Sequence, residues 1–198
     1  MQISFKSKGE KLLATLYNET SLVGVVLCPP HPSYGGSRYD TRIVKVAKVL
    51  ALHNISSLCM DYGSNGKGVN EVENVLDAIS LMEKRVHSLG LLGYSFGAVV
   101  ASNAVARAEI KGFVAMSILE KVNSLKANLN FDCPKLFVHG RYDTVARYSD
   151  FKHLYAETRG RKEKLILDTD HFYMENYPII IDTASKRICQ FFQEVLSK

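Results

Sequence analysis

The sequence predicts an α/β protein: an open, mostly parallel, doubly wound sheet with helices on both faces. Three observations carry that expectation. From residue 22 onward, short apolar runs alternate with segments of helical periodicity almost without exception. The runs, of which Leu22–Cys28 is the clearest, are apolar throughout and rich in β-branched residues, as strands covered on both faces are. Finally, 198 residues at 46% hydrophobic composition suffice for one buried core and are too few for two ordinary domains, so residues 1–198 are expected to form a single domain.

Residues 2–7 and 11–17 flank a Lys8-Gly9-Glu10 turn and read as an N-terminal antiparallel hairpin at the sheet edge. Leu22–Cys28 follows as the first buried strand and ends in Pro29-Pro30-His31-Pro32-Ser33-Tyr34-Gly35-Gly36-Ser37, a loop by composition. Ile43, Val46, Ala47, Val49 and Leu50 repeat at helical spacing within residues 38–53. Ile55–Tyr62 is the next strand, and Val72, Val75, Leu76, Ile79 and Met82 then mark one face of a helix over 70–86. An apolar run from Leu89 stops at Gly93-Tyr94-Ser95-Phe96-Gly97 and passes at once into the small-residue helical pattern Ala98–Ser102. Gly112–Ile118, Lys135–His139 and Lys164–Asp168 are further strands, with helices predicted over 148–157 and 177–196. The connection 119–134 is too short for a cap domain, so a substrate is expected to meet an open site.

Composition excludes several classes. No run of about 20 uninterrupted apolar residues occurs, and the N-terminus lacks the pattern of a secretory signal, so the expectation is a cytoplasmic protein without a membrane partner. The net charge of +5 is spread along the chain without a Lys/Arg block, which argues against a nucleic-acid partner. Cys28, Cys59, Cys133 and Cys189 have no C-x-x-C spacing and read as small buried hydrophobes. No His/Cys/Asp cluster has metal-ligand spacing, and no cofactor is expected. The loop Gly63–Gly68 is glycine-rich but lacks the phosphate-loop spacing and reads as a surface loop.

The chemistry concentrates at strand ends. A serine on a tight strand-to-helix turn is lifted onto the positive end of the following helix, which makes Ser95 the candidate nucleophile. Such a serine needs a histidine as base and an acid to orient it, in chain order serine, acid, histidine. Asp143 follows the strand Lys135–His139 across Gly140, and His171 follows the strand Lys164–Asp168, so both stand at carboxyl ends in the required order. Glu120 is a weaker rival for the acid; Asp168 and Asp170 lie too near His171 in sequence to reach its far ring nitrogen. His53, His87 and His153 sit on polar helix surfaces, and His31 reads as shaping its loop. An oxyanion requires two N–H donors. Phe96 supplies the first; Pro32 has no N–H, so the second falls to Ser33 or Tyr34, with Tyr34 preferred. Ser33, Tyr94 and Tyr142 are the candidate substrate contacts, and the aromatic residues near the strand ends point to a small apolar acyl or alcohol group.

Taken together, His31-Pro32-Ser33-Tyr34-Gly35-Gly36, Gly93-Tyr94-Ser95-Phe96-Gly97, His139-Gly140-Arg141-Tyr142-Asp143 and Asp170-His171-Phe172 resemble the four ordered motifs of the α/β-hydrolase superfamily. The likeness is to its small, lidless members related to dienelactone hydrolases and to the prolyl-oligopeptidase catalytic domain. The resemblance implies the α/β-hydrolase fold without a cap and a serine hydrolase acting on a small-molecule acyl substrate, usually an ester. Thioesters, amides, acyl transfer and a non-catalytic binding role are the alternatives, and a monomer or small homo-oligomer is expected. Two positions depart from the pattern. Dienelactone hydrolases carry cysteine where this chain has Ser95, and small relatives often have Arg-Gly where it has Tyr62-Gly63.

Overall fold

The chain opens with two antiparallel strands, β1 (Gln2–Ser7) and β2 (Glu10–Tyr17), paired from Gln2 with Thr15 to Ser7 with Glu10. A computed structural model describes residues 1–197. From β3 (Val23–Cys28) the order is α1 (Thr41–Leu52), β4 (Ser56–Met60), α2 (Val69–Glu83), β5 (Ser88–Tyr94), α3 (Phe96–Val105) and β6 (Gly112–Met116). A short hairpin of β7 (Lys121–Val122) and β8 (Leu125–Lys126) follows, then β9 (Lys135–Gly140), α4 (Tyr148–Glu157), β10 (Lys162–Leu167) and α5 (Ile179–Leu196). The β7–β8 hairpin lies within the connection 119–134; strands of two residues are too short to leave a periodic signal in the sequence.

Eight strands form one sheet in the order β1-β2-β4-β3-β5-β6-β9-β10, parallel from β4 to β10, with the N-terminal hairpin at one edge. After β3 the chain steps outward to β4, then returns across β3 to β5 and continues in the other direction. The carboxyl ends of β3 and β5 therefore flank the point where strand order reverses, the place where open α/β sheets leave a crevice.

Side chains alternate across the pleat and fill two cores. Along β3, Val26 and Cys28 join a cluster with Val72, Val75 and Ile79 of α2 and Val99 and Val100 of α3, while Val25 and Leu27 face Ile43 and Leu50 of α1 and Ile188 and Phe192 of α5. Each large apolar side chain so buried is worth about 1.5–3 kcal/mol, which is why the central strands are apolar on both sides. Asp40 starts α1 by accepting from the N–H groups of Arg42 and Ile43. In the glycine-rich loop before α2, Gly66 and Gly68 give their N–H groups to the buried carboxylate of Glu71 at 3.0 and 2.9 Å, so these donors are already engaged. No helix among the described residues is long and apolar enough to cross a membrane.

Candidate active site

At the end of β5 the backbone turns within a single residue. Ser95 has φ 56° and ψ −117°, a sparsely populated conformation costing about 1–3 kcal/mol. Two glycines make the turn possible: a Cβ on Gly93 would come within 2.3 Å of Gly97 O, and one on Gly97 within 2.3 Å of Pro29 O. Strand, helix and the loop after β3 thus pass closer to one another than side chains allow. Phe96 begins α3, so its N–H has no acceptor within the helix.

The structure brings Ser95, His171 and Asp143 together from three strand ends 76 and 28 residues apart in sequence. His171 Nε2 lies 3.0 Å from Ser95 Oγ, and His171 Nδ1 lies 2.7 Å from Asp143 Oδ2. The other carboxylate oxygen, Asp143 Oδ1, accepts from Val145 N–H at 2.9 Å and Ala146 N–H at 2.7 Å. Burial would push the Asp143 carboxyl up, but the His171 bond and the Ala146 N–H outweigh it and hold the group below its ordinary value. An ionised Asp143 accepts from Nδ1–H, which leaves Nε2 unprotonated toward the Ser95 hydroxyl.

The rival acids have other partners. Asp168 pairs with Arg141 at 2.6 Å, Asp170 Oδ1 accepts from the N–H groups of Phe172 and Met174, and Glu120 is exposed.

No protein-family model matches the chain, and no curated protein matches it in sequence. Solved structures do match it in shape. An α/β serine hydrolase homologue from Coxiella burnetii superposes with a TM-score of 0.84 over 96% of both chains at 17% identity. An α/β serine hydrolase without a lid from Xanthomonas campestris gives 0.82 over 100% of this chain and 95% of the other at 16% identity. An esterase of Pyrococcus furiosus gives 0.84 over 98% and 90%, also at 16%. The chain has the fold of the lidless α/β hydrolases. The expectations of a mostly parallel sheet with an N-terminal hairpin and helices on both faces hold in full.

On this α/β-hydrolase frame, a pocket of about 380 Å³ opens beside Ser95 and His171. Its wall is mainly apolar and includes Tyr34, Tyr94, Phe96, Leu119, Val145 and Phe172. Of the expected substrate contacts, Tyr94 lines the pocket. Ser33 and Tyr142 are not among its walls: Ser33 is exposed on a 3₁₀ turn (Pro32–Tyr34), and Tyr142 is exposed just past β9. The loop after β3 also differs from expectation in its donors. Tyr34 N–H is bonded to His31 O at 3.0 Å, closing the 3₁₀ turn, and Ser33 N–H is bonded to His31 Nδ1 at 3.1 Å. Neither donor is free in this conformation.

Sequence reasoning missed three supports. Tyr94, chosen as a substrate contact, also donates its buried hydroxyl to His171 O at 2.7 Å, tying the residue before Ser95 to His171. Tyr173 donates to Val138 O at 3.1 Å from the same loop. His139 stacks on Phe151 with centroids 4.3 Å apart and donates Nε2–H to Ala146 O at 2.8 Å, bracing the turn that holds Asp143. Burial lowers the His139 pKa, keeping the ring neutral. Its spacing of four from Asp143 was visible in sequence, but nothing there distinguishes a buried strand-end histidine from a solvated one.

Proposed function

We propose that the protein is a serine hydrolase that cleaves a small carboxylic ester through an acyl-enzyme on Ser95. The observation that supports this most directly is the unbroken hydrogen-bonded chain from Ser95 Oγ through His171 to Asp143, at 3.0 and 2.7 Å. Ser95 Oγ attacks the ester carbonyl while His171 Nε2 takes its proton, and Asp143 stabilises the resulting imidazolium. The C–O bond to the alcohol then breaks, and the alcohol leaves with the proton from Nε2. Water, deprotonated at Nε2, attacks the acyl carbon, and Ser95 departs with that proton.

Phe96 N–H is one donor to the oxyanion. The second comes from Ser33 in preference to Tyr34: Ser33 N–H is held only by a side-chain ring that can rotate away, whereas releasing Tyr34 N–H would open the backbone turn. The apolar pocket of about 380 Å³ is in keeping with a short acyl or alcohol group. The serine hydrolases and the esterase that share the fold are consistent with this chemistry.

A fluorophosphonate probe tests the reading. Purified protein is expected to be labelled stoichiometrically on the Ser95 peptide, with parallel loss of ester hydrolysis, and Ser95→Ala to be inert to both. Ester hydrolysis persisting at the wild-type rate in Ser95→Ala would overturn it.

A further inference from the structure

The pocket contains one charged side chain that the triad chemistry does not use. Arg42, in the first turn of α1, lines it together with Ser95 and His171. Its side chain is only 18% exposed, and its guanidinium lies 4.8 Å from the centre of the Tyr94 ring. A guanidinium carries five N–H donors. Arg42 Nε donates to Asp40 Oδ1 at 3.0 Å, Nη2 donates to Asp40 Oδ2, and Nη1 reaches Phe172 O at 3.4 Å. One N–H on each terminal nitrogen is left without an acceptor among the described residues. Asp40 has a separate task, since its Oδ1 already caps α1 through the N–H groups of Arg42 and Ile43. With the Asp40 side chain 4% exposed, a molecule in the pocket meets the guanidinium and not the carboxylate.

On the serine-hydrolase reading above, we propose that Arg42 is a specificity-determining residue and that the preferred substrate is an ester bearing a carboxylate at the far end of its acyl or alcohol part. The planar oxygens of that carboxylate accept the two spare N–H groups, a geometry that a guanidinium fork matches and an ammonium does not. Because Asp40 offsets the charge of Arg42, selectivity comes from fixed donors, not from net charge. A carboxylate is then favoured over its neutral carboxamide isostere by about 10- to 100-fold.

Two substrate pairs locate the carboxylate. Monoethyl glutarate against ethyl glutaramate tests the acyl side; the acetate ester of 4-hydroxybutanoate against that of 4-hydroxybutanamide tests the alcohol side. The wild type is expected to prefer the acid in one pair by about 10- to 100-fold in kcat/KM. Arg42→Gln is expected to reduce that preference to within roughly threefold. If that variant does not fold, Asp40→Asn/Arg42→Gln removes both charges together and is read the same way. No preference in either pair, or a preference that survives the loss of Arg42, overturns the proposal.

Thermal-shift titration with glutarate and with glutaramide judges Arg42 without any turnover. Stabilisation by glutarate alone, lost in the variant, supports it, and equal response to both ligands sinks it. A failure of the hydrolase reading is seen separately, as an unlabelled Ser95 with no hydrolysis of any of the four esters.

Discussion

Asp143→Asn is the sharpest single perturbation of the site. Asparagine has the shape of aspartate, and its carbonyl oxygen can still accept from Val145 N–H and Ala146 N–H, so the turn after β9 should survive. The amide nitrogen then takes the place of Oδ2, 2.7 Å from His171 Nδ1. An amide N–H2 facing an Nδ1–H would set donor against donor. The ring therefore adopts the other tautomer, with the proton on Nε2 facing Ser95 Oγ at 3.0 Å, and the base is lost. This tautomer error costs about 10⁴ in kcat in a serine-protease triad, equivalent to about 5.4 kcal/mol. The expected outcome is a loss of about 10³–10⁴ in kcat for a p-nitrophenyl ester, with an unchanged circular dichroism spectrum and a wild-type KM within about threefold. A folded Asp143→Asn within tenfold of wild-type kcat would refute the assignment of Asp143 as the residue that sets the tautomer.

Two further outcomes follow from the supports. Tyr94→Phe keeps the ring but removes the bond to His171 O, leaving a buried carbonyl unpaired; kcat should fall about tenfold with little change in KM, and Tm by roughly 2–10 °C at about 1–3 kcal/mol. His139 ties stability to pH. Burial lowers its folded pKa below the unfolded value near 6.5, so the unfolded state binds more protons and its contribution, complete above about 6.5, is lost as pH falls toward the folded value. Thermal melts at pH 7.5 and 5.5 should show a drop in Tm that shrinks in His139→Phe, which retains the stack on Phe151.

How much of this could be read beforehand depends on the range of the signal. That Ser95, Asp143 and His171 lie at one edge was legible because each follows an apolar run, and a parallel sheet sets the carboxyl ends of its strands along one edge; that they meet depends on the strand order. The order itself was not legible: nothing local in Ser56–Met60 says that β4 pairs with both β2 and β3. Nor could the pocket be drawn in full, since Arg42, Leu119 and Val145 reach it from separate segments whose meeting depends on how helices and loops dock. The His31–Gly36 loop was recognised by composition, but its hydrogen bonds depend on backbone angles. Thus Tyr34 N–H, preferred over Ser33 as the second oxyanion donor, is engaged in the 3₁₀ turn that Pro32 begins. His139 and Tyr94 were visible as residue types, and only their partners give them roles.

The central claim is that Ser95 becomes covalently acylated. Intact-mass spectrometry of protein quenched in acid within milliseconds of mixing with a p-nitrophenyl ester tests it most directly. Wild-type protein should gain the mass of one acyl group, mapped to the peptide containing Ser95, while p-nitrophenol appears in a burst equal to the enzyme concentration. Ser95→Ala should show neither. Turnover without any acylated species in the wild type, or an acyl group on a residue other than Ser95, would contradict it.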